Sequence, residues 1–426
     1  MDTEEIKRKL AGLWEKTTHH SKDIIASLFE YYFDTQYLEF KEIEGKIVCA
    51  ICGIPYSFGN GKKKLKALYL IALSSEEGFR KKGLLSELLK DINEKAKLNF
   101  DFTFIVPPSD LMADYLGNEG YFSSFFILEE RFTPLHDFKN DYILSLIDSD
   151  ERLRILKRSL YDQITIEEFG KGSTISQKDI IKFILNIENK SQSSINLCHS
   201  EHDFEYIFND NSLRKNGIFI STDLDGKITG VSFIQKEELK RIKVVAAYVS
   251  DLCSYYAILN FIKMQYSDHS LSVNTSDSKF QVHSLVQQTY AAANPDGGDL
   301  DNTFNSIDIP FNLNRLLQPM GMVRFLKFES VLEYLAENRS DIDFKLKIRD
   351  YKNKQDEDTL NQPIYIVKNG KLDIQKENGN NKSPSIVNLS VKEISELLLR
   401  KNDSSNLIME AFGIPRLNLQ FRLLPY

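Results

Sequence analysis

At 426 residues the chain is long enough for about three domains of ordinary size, and a single small module is excluded. Apolar residues make up 42% and charged residues 27%, too apolar a mixture for a chain that lacks packed cores. With 54 Lys and Arg against 61 Asp and Glu the formal charge is −7, which disfavours a nucleic-acid partner and suits a cationic one.

The opening Met1-Asp-Thr-Glu-Glu is acidic and lacks the basic-then-apolar pattern of a secretory leader. The longest uninterrupted apolar run, residues 67–73, falls far short of the roughly 20 that span a bilayer. A cytoplasmic protein with no membrane partner is expected. The four cysteines, Cys49, Cys52, Cys198 and Cys253, are too few for a disulfide framework, so reduced thiols are expected.

Over residues 3–34, Ile6, Leu10, Leu13 and Trp14 and then Ile24, Ile25, Leu28 and Tyr32 recur at helical spacing around a polar break at 17–21, predicting two helices. Residues 37–44, 46–58 and 64–73 are rich in β-branched and aromatic side chains and are separated by Gly45 and by Gly59-Asn60-Gly61. They predict three antiparallel strands. Leu84, Leu85, Leu88, Leu89, Ile92 and Ala96 then trace one face of a helix. A strand over 100–106 stops at Pro107-Pro108, followed by a short helix over 110–116 and a strand over 121–132. These elements form a mixed α/β layer over residues 1–135, closed by Thr133-Pro134.

The span 136–310 predicts a helix over 176–187 and strands over 217–222 and 228–234 around Asp225-Gly226. A strand over 242–249 feeding a helix over 255–264 follows, and the element order repeats the first layer. Residues 294–305, with Pro295, Gly297 and Gly298, read as a long polar loop. The span 311–426 opens with a helix candidate near Phe311. A strand over 322–328, a helix over 330–336 and a strand over 344–349 come next, then a hairpin over 365–374 turning on Asn369-Gly370. After an exposed loop over 375–384, Ser390 and Glu393 form a capping box for a helix carrying Ile394, Leu397 and Leu398. The fold class is therefore α+β, as mixed α/β layers followed by a smaller α+β module.

The stretch 68–86 carries the most chemistry: a strand breaks into a loop with a basic end and enters an amphipathic helix. Unpaired N–H groups at a helix N-terminus bind pyrophosphate, Gly83 lets the backbone approach, and Arg80, Lys81 and Lys82 add charge. The alternative is a solvated basic turn.

This stretch resembles the GNAT acetyltransferases, whose signature [QR]-x-x-G-x-[GA] matches Arg80-Lys-Lys-Gly83-Leu-Leu85 except that Leu85 replaces the small last residue. The strand over 69–75 stands at family spacing before it. Phe104-Ile-Val-Pro-Pro-Ser109, Tyr115 and Gly120-Tyr121-Phe122 are similar to the family's next strand, helix and strand. The repeated layer and the C-terminal module resemble the enhanced-intracellular-survival branch, which has two GNAT-like domains and a sterol-carrier-protein-like domain. The similarity is specific over residues 1–135, moderate from Met320-Gly-Met-Val-Arg-Phe to Tyr426, and weak between.

The resemblance implies that acetyl-CoA lies across the end of the strand, its thioester carbonyl held by N–H groups near Leu73, Ser74 and Ser75. Arg80, Lys81, Lys82, Gly83, Leu84 and Leu85 would hold the pyrophosphate, and Ser109 joins the cofactor-binding set. A neutral primary amine, of the polyamine, aminoglycoside or lysine-like class, would attack the thioester directly, with positioning and carbonyl polarisation lowering the barrier. Tyr115 is the implied acid for the leaving thiolate, although the family tyrosine usually stands four residues before the glycine, at Leu116 here; a packing aromatic is the alternative. Tyr426 carries the terminal carboxylate implied to take the amine proton. Its pKa of roughly 3.5 lies about 6 to 7 units below that of an amine, so burial or a water relay must help. An apolar tail, Leu423-Leu-Pro-Tyr426, is the alternative. The resemblance also implies a homo-oligomer, with a hexamer among its forms.

Ser250-Asp251-Leu252-Cys253-Ser254, after the corresponding strand of the second layer, has no Gly, Lys or Arg, so one cofactor site per chain is expected. Cys49 and Cys52 would point to opposite faces of one strand and read as core residues. Cys198, His199, Glu201 and His202 offer metal-type atoms in a polar segment. Asp299, Asp301 and Thr303 fail as a calcium loop because Phe304 and Pro310 stand where Gly and Glu are required, and no metal is expected. Lys62, Lys63, Lys64 and Lys66 read as a solvated hairpin or an aid to phosphate binding. The rival function is a degenerate acetyltransferase scaffold that binds a small molecule or lipid.

Overall fold

The computed structural model describes residues 2–18, 22–59, 63–134, 164–170, 172–190, 195–209, 217–237, 240–275, 311–338, 343–348, 363–375, 386–389 and 419–420. The capping-box helix read from Ser390, the loop at 294–305 and Tyr426 lie outside them.

The first layer opens with helices α1 (Thr3–Thr17), capped by the Asp2 carboxylate, and α2 (Lys22–Tyr31). Strands β1 (Leu38–Ile43) and β2 (Lys46–Phe58) form a hairpin whose two turn residues, Glu44 and Gly45, have φ of 50° and 77°. Both angles are positive, as a two-residue type I′ turn requires. Strand β3 (Leu65–Ser75) lies antiparallel to β2; helix α3 (Leu84–Ala96) crosses over to β4 (Phe102–Ile105), parallel to β3. Helix α4 (Asp110–Asn118) and β5 (Phe122–Pro134) follow.

Helices cover both faces of β2 and β3, so these strands are buried almost throughout rather than alternating with solvent. Cys49, Ile51, Leu68 and Leu70 pack with Leu88, Leu89 and Ile92 of α3. Cys52, Ile54, Tyr56, Tyr69 and Ile71 pack on the other side with Leu10, Leu13 and Trp14 of α1. Cys49 and Cys52 thus enter different cores, as expected for residues three apart on a strand. Asn93 of α3, Thr103 of β4 and Tyr121 before β5 form a buried hydrogen-bonded group with contacts of 2.7 to 3.2 Å, which locks α3 onto the sheet.

The next span holds β6 (Thr165–Glu168), α5 (Gln177–Lys190), β7 (Ile195–Cys198), α6 (Glu201–Asn209), β8 (Ile218–Thr222), β9 (Ile228–Glu237), β10 (Arg241–Val249), α7 (Leu252–Gln265) and β11 (Ser270–Thr275). An antiparallel pair feeds a helix that returns parallel, β9-β10-α7-β11, repeating β2-β3-α3-β4. The duplication anticipated from element order holds at the level of topology.

Residues 311–325 correct the expected helix near Phe311: they form one long strand, β12 (Phe311–Phe325), inserted between β4 and β5. Open strand edges on both sides receive this segment, and that pairing outweighs a local helical preference. Pairing runs β17-β7-β2-β3-β4-β12-β5-β11-β10-β9-β8-β6 with β1 on β2, where β17 is Leu419–Gln420. After β12 come α8 (Phe328–Asn338) and a separate sheet ordered β15-β14-β13-β16, from β13 (Asp343–Ile348), β14 (Ile364–Lys368), β15 (Lys371–Gln375) and β16 (Ile386–Leu389). Asn369 and Gly370 turn β14 into β15 with φ of 51° and 74°, the predicted geometry. Among the described residues no helix is long and apolar enough to cross a membrane.

Burial pushes the phenols of Tyr56 and Tyr121 above the ordinary tyrosine value. The folded state therefore holds protons that the unfolded chain releases near pH 10. Their contribution is complete below that pH and lost above it, by up to about 1.4 kcal/mol per pH unit for each tyrosine. Urea midpoints measured from pH 8 to 11 should be level at first and then fall. A midpoint that holds to pH 11 would contradict this.

Candidate active site

The site is built where β3 ends. Pairing of β3 with β2 steps from Ser74↔Ala50 to Ile71↔Cys52, so Ala72 and Leu73 face the single residue Ile51. This is a bulge, and Ala72 carries it at φ 52°, a left-handed conformation uncommon for a residue with a side chain. On its other edge β3 pairs with β4 only as far as Tyr69↔Phe104, whereas β4 stays paired with β12 through Ile105. The two parallel strands part beyond Tyr69, and the bulge lies on the open edge. Ser74 is buried with an unpartnered hydroxyl, and Ser75 stands opposite Cys49.

The chain then turns through 76–83. The Glu76 N–H is tied to the Val48 carbonyl at 2.8 Å, and the Arg80 Nε donates to the Ser75 carbonyl at 3.2 Å. Lys81 has φ 61°, and the Lys82 ammonium sits 4.6 Å over the Phe79 ring. Gly83, at φ 78°, is the N-cap of α3 and offers no side chain. The first intrahelical bond runs from Glu87 N–H to the Gly83 carbonyl at 3.1 Å. The amides of Leu84, Leu85 and Ser86 therefore point past the helix end with no side-chain cap, beside exposed Arg80, Lys81 and Lys82. A side chain at 83 would meet nothing within 4 Å, so the glycine answers a backbone need rather than crowding.

Tyr115, half-buried on α4, reaches this helix end: its hydroxyl lies 2.7 Å from Ser86 Oγ, which donates to Glu119 Oε1 at 2.6 Å. Burial is the main cause that raises the Tyr115 phenol above its usual value, so it holds its proton at neutral pH. Burial likewise raises the Cys49 thiol, which leaves it a poor nucleophile.

The expected set Leu73, Ser74, Ser75, Arg80 to Leu85 and Tyr115 thus meets in one place. Ser109 caps α4, accepting the Met112 N–H at 3.3 Å, a local role. Lys63 pairs with Glu333 and Glu337 of α8. Cys198 donates to the Gly59 carbonyl, His199 Nδ1 meets Glu188 Oε1 at 2.8 Å, and His202 Nε2 meets the Tyr31 carbonyl at 2.8 Å. Sequence reading missed Ser86 and Glu119, which stand three residues after Gly83 and one before Gly120, spacings that carry no signal without the tertiary contact.

No protein-family model matches the sequence, and no curated protein does. Solved structures resemble it along nearly its whole length. A probable N-acyltransferase of unknown function from Enterococcus faecalis V583 superimposes with a TM-score of 0.67 at 14% identity, over 97% of this chain and 91% of that one. A GCN5-related N-acetyltransferase from Anabaena variabilis ATCC 29413 gives 0.63 at 11% identity, over 96% and 92%. The fold is that of the GCN5-related N-acetyltransferases. Eis1 from Mycobacterium abscessus shares the GNAT fold with a TM-score of 0.60 at 9% identity, over 97% and 91%. At such identities the likeness rests on the path of the chain.

The repeat within this GNAT fold is unequal. Strand β10 also carries an extra residue, Val245, and also parts from its parallel neighbour, after Val244↔Val273. Its connection to α7, however, is two residues long, against eight between β3 and α3. The Asp251 carboxylate caps α7, accepting the Ser254 N–H at 2.8 Å and the Ser250 hydroxyl at 2.7 Å. A fixed negative charge therefore occupies the helix end that α3 leaves open and surrounds with cations.

Proposed function

We propose that the chain is an N-acetyltransferase that moves an acetyl group from acetyl-CoA to a primary amine by direct attack. The observation that carries this reading is the meeting, at one end of β3, of a bulged open edge with the uncapped, cation-flanked N-terminus of α3. The acetyl thioester would supply the activated acyl group. The bulge amides near Leu73 to Ser75 would polarise its carbonyl, and Leu84, Leu85 and Ser86 with Arg80 to Lys82 would hold the pyrophosphate. Tyr115, kept protonated by burial, would give a proton to the departing sulfur. A raised Cys49 thiol and direct attack agree, since no covalent enzyme intermediate is needed. The charge of −7 favours a cationic acceptor of the polyamine, aminoglycoside or lysine-like class. The sheet after α8 is proposed as the sterol-carrier-like module, with the divisions 1–135, 136–310 and 311–426 marking the three units; β12 returns from the last to complete the first sheet.

Thermal unfolding with and without acetyl-CoA tests the reading. At 100 times Kd, binding adds about 2.7 kcal/mol, and Arg80→Glu should remove most of the shift. An amine panel with detection of released thiol then separates an enzyme from a binder. No thermal shift at millimolar acetyl-CoA would overturn the reading, while a shift without thiol release would favour the degenerate scaffold.

A further inference from the structure

We propose that Ser86 and Glu119 are positioning residues that aim the Tyr115 hydroxyl, an inference that deepens the acetyltransferase reading and rests on it for the final proton transfer. Ser86 has one hydroxyl proton, and a carboxylate can only accept; the 2.6 Å bond to Glu119 therefore uses that proton. The 2.7 Å contact with Tyr115 must then run from the phenol to Ser86 Oγ. A ring that could otherwise swing about two torsions is held by one directed bond.

The clamp is itself anchored. Tyr115 and Glu119 stand four apart at the end of α4, so both side chains lie on one face and close on Ser86. The Glu119 N–H bonds back to the carbonyls of Tyr115 and Leu116, and its carbonyl accepts Arg324 Nη1 of β12 at 2.6 Å. Ser86 meanwhile belongs to the open first turn of α3. The residue whose amide would meet a phosphate thus also holds the acid, linking cofactor seating to placement of the proton.

The groups facing Tyr115 are Ser86 from α3, Glu119 from its own helix and Cys49 from β2, with the basic loop 80–82 preceding α3. Burial is the main cause that raises the phenol's pKa, and the charge of Glu119 acts in the same direction. In the reaction the phenol O–H breaks as S–H forms on the thiolate that leaves with the C–S electron pair. The phenolate recovers a proton from water, and the hydroxide formed cancels the proton shed by the amine.

Two measurements test this. Titration of Tyr115 in the free protein, by phenolate absorbance against Tyr115→Phe, should move downward in Glu119→Gln, which removes the charge that raises the phenol. In steady state Ser86→Ala should lose about tenfold or more in kcat with the acetyl-CoA KM within about threefold, and Ser86→Thr should recover most of the loss. An unmoved or upward titration in Glu119→Gln, an unchanged kcat, or equal losses in Ser86→Ala and Ser86→Thr would overturn the inference. If the wild-type protein neither binds acetyl-CoA nor releases thiol, the acetyltransferase reading fails, and the titration still decides whether Glu119 acts on the hydroxyl.

Discussion

Tyr115→Phe is expected to lower kcat by about 10² to 10³ while leaving the Kd for acetyl-CoA within about twofold, the range for loss of a positioned general acid. The ring packs against the cluster that also takes Leu73, Leu84 and Leu85, and phenylalanine preserves that contact. The Ser86 hydroxyl keeps Glu119 as its acceptor, so no buried donor is stranded, and the stability cost stays at about 1 kcal/mol or less. The comparison needs single-turnover rates at saturating acetyl-CoA. A variant that turns over within about threefold of the parent would reduce Tyr115 to a packing aromatic and move the acid elsewhere.

Asp203→Ala should remove about 2 to 4 kcal/mol of stability, from the loss of hydrogen bonds to a buried carboxylate and of a helix cap. Asp203 is 6% exposed. Its Oδ1 accepts the Tyr32 hydroxyl of α2 at 3.0 Å and the Tyr56 hydroxyl of β2 at 3.2 Å. Its Oδ2 accepts the Ser200 N–H at 2.7 Å and the Ser200 hydroxyl at 2.6 Å, closing a capping box at the start of α6. One carboxylate thus starts a helix of the second layer and ties it to two tyrosines of the first. Alanine strands the Tyr56 hydroxyl in the interior and opens the cap of α6, while the exposed Ser200 can turn to water. Asp203→Asn, which keeps an acceptor but turns an N–H₂ toward other donors, should lose somewhat less. Denaturant midpoints report the change, and a loss under about 1 kcal/mol in Asp203→Ala would show that packing alone joins the layers.

The open, cation-flanked helix end of the candidate site was legible because it is local. Gly83, the cations before it and the helical spacing of Leu84, Leu88 and Ile92 all lie within one turn-and-helix segment, where the period and the glycine speak directly. The bulge was not legible, because Ala72 adopts a glycine-like conformation that no glycine announces. Pairing with β2 imposes it. Nor was β12, read as a helix near Phe311, because the free edges of β4 and β5 that receive it come from distant parts of the chain. Tyr115 was placed by its position before Gly120, yet its hydroxyl's neighbours were invisible, since Ser86 lies 29 residues away in sequence.

On its own, the sequence determined a chain of mixed α/β layers, the repetition of their order, and a basic glycine loop opening a helix. Those features depend on spacing over a few residues, where backbone preference and side-chain period act alone. The tertiary structure decided which edge of β3 stays open, which helix end a carboxylate closes, and which serine holds the tyrosine. Each of those is a contact between segments far apart in the chain, and its energy exists only after strand pairing and core burial have brought the partners within hydrogen-bonding distance.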